Sequence, residues 1–167
     1  MFFVNRILLI GLCIMLLPAL ANAADYRDWK PLVPENIDGL EKSGSLDGAN
    51  MDSGGQSWST LRQRYSGDGE REIVLTIING TNAPRVREFQ AMPDFQVETE
   101  QRVARSLEVA GYDAFVEIDK RDGEGTLVLG VNPDTLVVVE AEPVADRDRM
   151  TSIAGDVPLD TIASQVK

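Results

Sequence analysis

The stretch from Gly111 to Glu142 constrains the fold more than any other part of the chain. YDAFVEID places Tyr112, Ala114, Val116 and Ile118 on one parity, and TLVLGVN does the same with Leu127, Leu129 and Val131. Alternation of period two marks a strand with one buried face. DTLVVVEAE follows, apolar through its first half, with Leu136 and Val138 sharing a parity. The links between these runs are short. DKRDGEG (119–125) is rich in turn formers, and Asn132-Pro133-Asp134-Thr135 suits a type I turn with Asn first and Pro second. Strands joined so tightly must run antiparallel, so 111–142 is predicted to be a meander. The pattern also predicts a register. With Ile118 opposite Leu127, Val116 falls opposite Leu129 and Ala114 opposite Val131. The next turn then pairs Val131 with Leu136 and Leu129 with Val138, and every one of these residues lands on one face.

The remaining segments fit around that meander. QSWSTLRQRYS reads as a half-exposed strand, GDGE (67–70) as a hairpin turn, and REIVLTIING as a central strand apolar on both faces. NAPRVREFQAM reads as a short helix capped by Asn82, with Pro84 in its first turn and Val86 and Phe89 on one side. Two readings stay open for 95–110. Val103, Leu107 and Val109 share a strand parity with Arg105, while a helix from Val97 to Val109 is the competitor. DRDRMTSIA reads as a helix capped by Asp146. PLDTIASQV reads as another, with Leu159, Ile162, Ala163 and Val166 at i, i+3, i+4 and i+7. In the lead-in segment, Trp29, Leu32, Val33, Ile37 and Leu40 are expected to plug the core edge, and GSLDGANMDSGGQ (44–56) is expected to be a turn-rich loop. The predicted class is α+β. An antiparallel sheet of five to seven strands carries two or three short helices on one face. Residues 24–56 form the lead-in and loop, and 57–167 the rest of a single domain starting near residue 27.

The N-terminus predicts export. MFFVNR carries one positive charge at Arg6, and ILLIGLCIMLLPAL is an apolar run short of the roughly 20 residues a membrane anchor needs. Ala21-Asn22-Ala23 is an A-x-A cleavage pattern, which places the cut between Ala23 and Ala24. Cys13 follows Leu12 and sits inside the apolar run, which does not suit a lipoprotein signal. Cleavage leaves 144 residues from Ala24 to Lys167 with no cysteine, and shifts the formal charge from −11 to −12, because Arg6 is the only charge lost. A chain of about 150 residues buries roughly 70% of its unfolded surface, enough to stand without disulfides. The predicted location is the periplasm or the exterior, with no stable membrane insertion after cleavage. The acidic balance argues against nucleic acid and anionic membrane surfaces.

Histidine is absent throughout. This excludes Ser-His-Asp and Cys-His sites, histidine-ligated zinc and histidine general-base chemistry. No cofactor, metal or catalytic residue is expected. Three readings apply to DKRDGEG: a hairpin tip, a weak divalent cation site, or a catalytic acid pair. The tip accounts for its glycines and for an Asp122 able to bond its own backbone two residues on. Calcium wants six to eight oxygens at a spacing this segment lacks, and Lys120 and Arg121 intrude. Asn79-Gly80-Thr81 is an N-x-[ST] sequon and also a turn. Ser57, Ser59, Ser66 and Ser106 have no lysine at S-x-x-K spacing. Trp29, Trp58 and Tyr65 could pack in the core or form an aromatic surface; Trp58 and Tyr65 have opposite parities on one strand, so at most one faces the core. Glu140, Glu142, Asp146 and Asp148, interleaved with Arg147 and Arg149, read as a solvated face and a helix cap.

The segments LVPENIDGL, YSGDGEREIVLTIING, VAGYDAFVEIDK and LVLGVN…LVVVEAE resemble those of small bacterial secreted proteins and, more distantly, the PsbP-like α+β fold, over most of residues 31–163. That resemblance implies an accessory or binding role rather than catalysis, by analogy of fold. Its binding residues are not specified. The expected function is an exported, non-catalytic binding protein of the cell envelope with a protein or small-ligand partner, recognised through a sheet edge or the 43–56 loop. An inhibitor or immunity protein for a basic envelope-acting toxin or enzyme is the first alternative, and a carboxylate-dependent hydrolase the second.

Overall fold

The computed structural model describes residues 24–67, 69–144 and 146–167. The expected signal segment, with Ala23 at its end, lies outside the described residues. One nine-stranded antiparallel sheet dominates: β1 (Asn36–Ile37), β2 (Leu40–Ser53), β3 (Gln56–Ser66), β4 (Glu72–Asn79), β5 (Gln96–Glu98), β6 (Arg102–Val109), β7 (Tyr112–Asp119), β8 (Glu124–Asn132) and β9 (Thr135–Glu142). Their spatial order is β1-β2-β3-β4-β9-β8-β7-β6-β5. The helices are α1 (Pro84–Ala91), α2 (Arg147–Ala154) and α3 (Leu159–Gln165), preceded by a 3₁₀ segment over Tyr26–Leu32.

The meander stands, with two corrections to its register. At the β7–β8 hairpin Val116 lies opposite Leu127, Ala114 opposite Leu129 and Ile118 opposite Gly125. The shift from the expected pairing is two residues, so each side chain keeps its face, and Val116, Ile118, Leu127 and Leu129 are all fully buried. The cause is a loop tighter than expected. The Gly123 N–H donates to the Asp119 carbonyl at 2.9 Å, with Gly123 at φ 72°. The shift also puts Gly125 under α2, where an added Cβ would stand 2.7 Å from the Met150 sulfur. At the β8–β9 turn, Gly130 pairs with Leu136 and Asn132 with Thr135, leaving Val131 as a one-residue bulge. The bulge inverts the parity of β9. Val137, Val139 and Ala141 enter the main core, and Leu136 and Val138 point to the other face. Periodicity could not settle this, because β9 is apolar on both parities.

The back face of the sheet packs against the 3₁₀ segment, α2 and α3, with Trp29, Leu61, Tyr65, Ile77, Met150 and Ile162 almost wholly buried. The front face carries a smaller cluster of Ile78, Val128, Leu136 and Val138 beneath Ala83 and Val86, with Trp58 and Phe89 packed against it. Helices therefore flank both faces, not one. Topology explains it: β4 sits mid-sheet and β5 at the far edge, so the connection must cross a face, and α1 lies on it. Trp58 and Tyr65 divide between the faces as their parities require, with Tyr65 and Trp29 in the main core.

Residues 95–110 hold two strands, β5 and β6, joined at 99–101, and no helix. The 44–56 stretch is not a loop either: β2 pairs with β3 as far as Ser53–Gln56, and Gly54 and Gly55 make the turn at φ 62° and 78°. Its polar composition suits an exposed edge strand. Asp38 and Gly39, both at positive φ, form a two-residue turn between β1 and β2, the Asp-Gly preference of type I′ hairpins. The Asp38 carboxylate accepts from Arg71 and Arg149, and its N–H donates to Asp156 at 2.7 Å. At α1 the N-cap is Ala83 without a side-chain bond, so Asn82 does not cap; Pro84 opens the helix as expected. Asp146 caps α2, accepting from the Arg149 N–H.

Candidate binding groove

The crossing of α1 sets up a groove. The helix lies over the β8–β9 end of the front face, held there by the Phe89 ring against Gly130, where a Cβ would come within 2.7 Å. The Gln90 side chain donates to the Pro133 carbonyl and ties α1 to the β8–β9 turn. The chain then runs through Met92–Phe95 to β5 at the sheet edge. Between α1, this segment and the front of β6–β8 an open cavity of about 870 Å³ remains, within the size range of ligand sites.

Phe115 stands on the cavity floor and Phe95 on its rim, with ring centroids 6.5 Å apart and planes tilted 40°. Among the described residues the exposed large hydrophobics are Met92, Phe95 and Val97; Met92 and Phe95 line the cavity, and Val97 follows on β5. The polar lining is acidic. Asp94, Glu108 and Asp113 contribute carboxylates, and no lysine or arginine lines the cavity. No ion pair among the described residues involves these three acids. Glu108 and Asp113 are directly opposite in the β6–β7 register, a like-charge placement that costs a few tenths to about 1 kcal/mol. Beyond them Ala110 takes φ 53° in the two-residue turn with Gly111.

The segments singled out in the sequence lie elsewhere. DKRDGEG is a hairpin tip. Asp119, not Asp122, makes the local bond, accepting from the Arg121 N–H at 2.9 Å. That backbone bond, with the Arg121 side chain, holds the Asp119 carboxyl below its usual value. Lys120 reaches the Thr99 carbonyl at 3.3 Å. Among the described residues no group of acids is placed to hold a metal ion. The sequon asparagine is structural: Asn79 is 1% exposed, donates to the Thr135 hydroxyl at 2.9 Å and accepts from the Ala24 N–H at 3.2 Å. Of the four serines considered, Ser106 borders the groove, its hydroxyl accepting from the Phe95 N–H at 3.2 Å.

Apart from Ser106, the groove residues do not stand out as a site in the sequence, although one signal is present. In YDAFVEID the parity opposite to the core reads Asp113, Phe115, Glu117 and Asp119. Phe115 is the lone apolar residue on that polar parity, and it is the floor of the groove. No family model, curated protein or solved structure matches the chain.

Proposed function

We propose that this is an exported, non-catalytic binding protein of the cell envelope whose ligand occupies the groove between α1 and β6–β8. The observation behind the reading is that two of the three exposed large hydrophobics among the described residues, Met92 and Phe95, line one cavity, with the third, Val97, two residues further along the chain on β5. A patch of this kind marks a binding surface more often than chance exposure. Export rests on the charged start, the apolar run and the Ala21-Asn22-Ala23 pattern. The PsbP-like resemblance points the same way. The facing carboxylates Glu108 and Asp113 are both exposed, without the apolar enclosure that sets an acid and a base apart in hydrolase sites. That favours binding over catalysis.

The test is a neutral apolar dye. Nile red titrated into the protein should saturate at one equivalent with a blue-shifted emission. Ser106→Trp, opposite Phe115 in the register, fills the groove and should abolish the signal while the fold melts as before. Equal dye binding by both proteins, or none by the wild type, would sink the reading.

A further inference from the structure

We infer that the occupant of this groove is an extended basic segment of a partner polypeptide, apolar side chains seated between Phe95 and Phe115 and lysine or arginine side chains set against Asp94, Glu108 and Asp113. The inference rests on the groove reading above and adds the chemistry of the ligand. Charge complementarity is its first support. The polar groups lining the cavity include three carboxylates without ion-pair partners and no cation. A cation brought between Glu108 and Asp113 relieves a repulsion that the free protein carries. The same charges disfavour a second copy of this chain, at formal charge −11, and nucleic acid.

The sheet edge favours an extended polypeptide over a small polycation. β5 covers β6 only over Val103–Arg105, and at the groove end of this pairing the Ser106 N–H donates to the Phe95 carbonyl. No strand pairs with Leu107–Val109 of β6 on their outer side. This open edge borders the groove at Glu108. A peptide lying there can pair its backbone with β6 while alternate side chains enter the cavity, the strand-addition mode of recognition.

The probe is a short capped peptide alternating lysine with phenylalanine and valine, compared with the same peptide carrying glutamate for lysine. The lysine peptide should bind the wild-type protein, displace Nile red and slow hydrogen exchange at Glu108, whose N–H faces the open edge while those of Leu107 and Val109 face β7. The glutamate peptide should do none of these. The Glu108→Gln, Asp113→Asn double variant should bind the lysine peptide about tenfold more weakly and melt at a higher temperature than wild type. Equal binding of the two peptides, or undiminished binding by the double variant, overturns the inference. So does displacement of the dye by spermidine as effective as by the peptide, which would make the ligand a small polycation. Groove-dependent dimerisation in sedimentation would name a second copy instead. In each of these cases Nile red binding survives, whereas its loss in the wild type marks failure of the groove reading itself.

Discussion

Gly80 is the sharpest test of how the groove is positioned. It stands at φ 130°, where an added Cβ would lie 2.8 Å from the Ser57 carbonyl oxygen, 2.8 Å from Trp58 Cβ and 2.9 Å from Trp58 Cα. Two of these contacts are backbone atoms of β3, and none is the free end of a flexible side chain. The Gly80 N–H donates to the Asp134 carbonyl, and its own carbonyl accepts from the Ala83 N–H, both at 2.8 Å. One residue thus joins β4, the β8–β9 turn and the start of α1. For Gly80→Ala the backbone conformation costs about 1–3 kcal/mol and the overpacking another 1–3 kcal/mol. The expected loss is therefore about 2–6 kcal/mol, a large part of the roughly 5–15 kcal/mol a domain possesses. Gly54→Ala is the control, since Gly54 also has positive φ but nothing within 4 Å of its would-be Cβ. It should lose only the conformational part, about 1–2 kcal/mol. Urea unfolding followed by tryptophan fluorescence measures both. If the two variants agree within about 0.5 kcal/mol, the size of an ordinary surface substitution, the close approach of Gly80 to β3 is not what fixes this turn.

The other predictions concern single groups. Ala110→Asn should stabilise the protein by about 0.5–1 kcal/mol, because Asn tolerates the left-handed turn position that Ala occupies at strain; a thermal melt checks it. Tyr65 is buried, and its hydroxyl donates to the Pro34 carbonyl at 2.8 Å. Burial pushes its phenol up from the usual value, with Glu35 adding to the shift. The folded state therefore holds the proton more tightly than the unfolded chain. Its contribution is complete below the ordinary phenol value near 10 and declines as pH rises beyond it. Tyr65→Phe should cost about 1 kcal/mol at neutral pH, and its deficit against wild type should narrow in urea titrations above that value. Gly123→Val places a β-branched residue at φ 72° and should cost about 2 kcal/mol or more, whereas Asp122→Asn with Glu124→Gln should stay within about 0.5 kcal/mol in the same assay and leave Nile red binding unchanged.

How far the sequence reveals this fold depends on whether a choice is local. The strands of the meander, the Asp146 cap and the Pro84 start follow from period and capping chemistry, and the structure contains them. The position of Val131 as a bulge does not, because Val137 and Val138 satisfy either face equally well. The two-residue shift at β7–β8 comes from the tight turn at Gly123, which a turn-rich segment such as DKRDGEG does not distinguish from a longer loop. β2 was illegible for a different reason: its residues are polar because the strand is an edge, so hydrophobic alternation had nothing to act on. The side of the sheet that α1 takes is likewise a property of strand order. The groove inherits that uncertainty, since its floor comes from β6–β8 and its wall from a helix placed by topology.

What distinguishes the groove from the rest of the surface is where local rules are broken. Along β6–β7 the like charges Glu108 and Asp113 face each other, and the turn that joins the two strands holds Ala110 at positive φ. Across the cavity, Met92 and Phe95 present apolar surface to water. Departures of the same two kinds elsewhere are compensated. Asp38 also has positive φ, but its carboxylate is held by Arg71 and Arg149; Glu72 and Glu140 each meet an arginine. A sequence under selection for folding alone removes such conflicts one by one. Those at this rim remain uncompensated together, and one ligand, cationic and apolar by turns, would compensate the carboxylates and cover the aromatics in a single step. On this account the substitutions that ease the free protein, Glu108→Gln and Asp113→Asn, are the ones that weaken binding, so stability and affinity should move in opposite directions at this rim and together at Gly80.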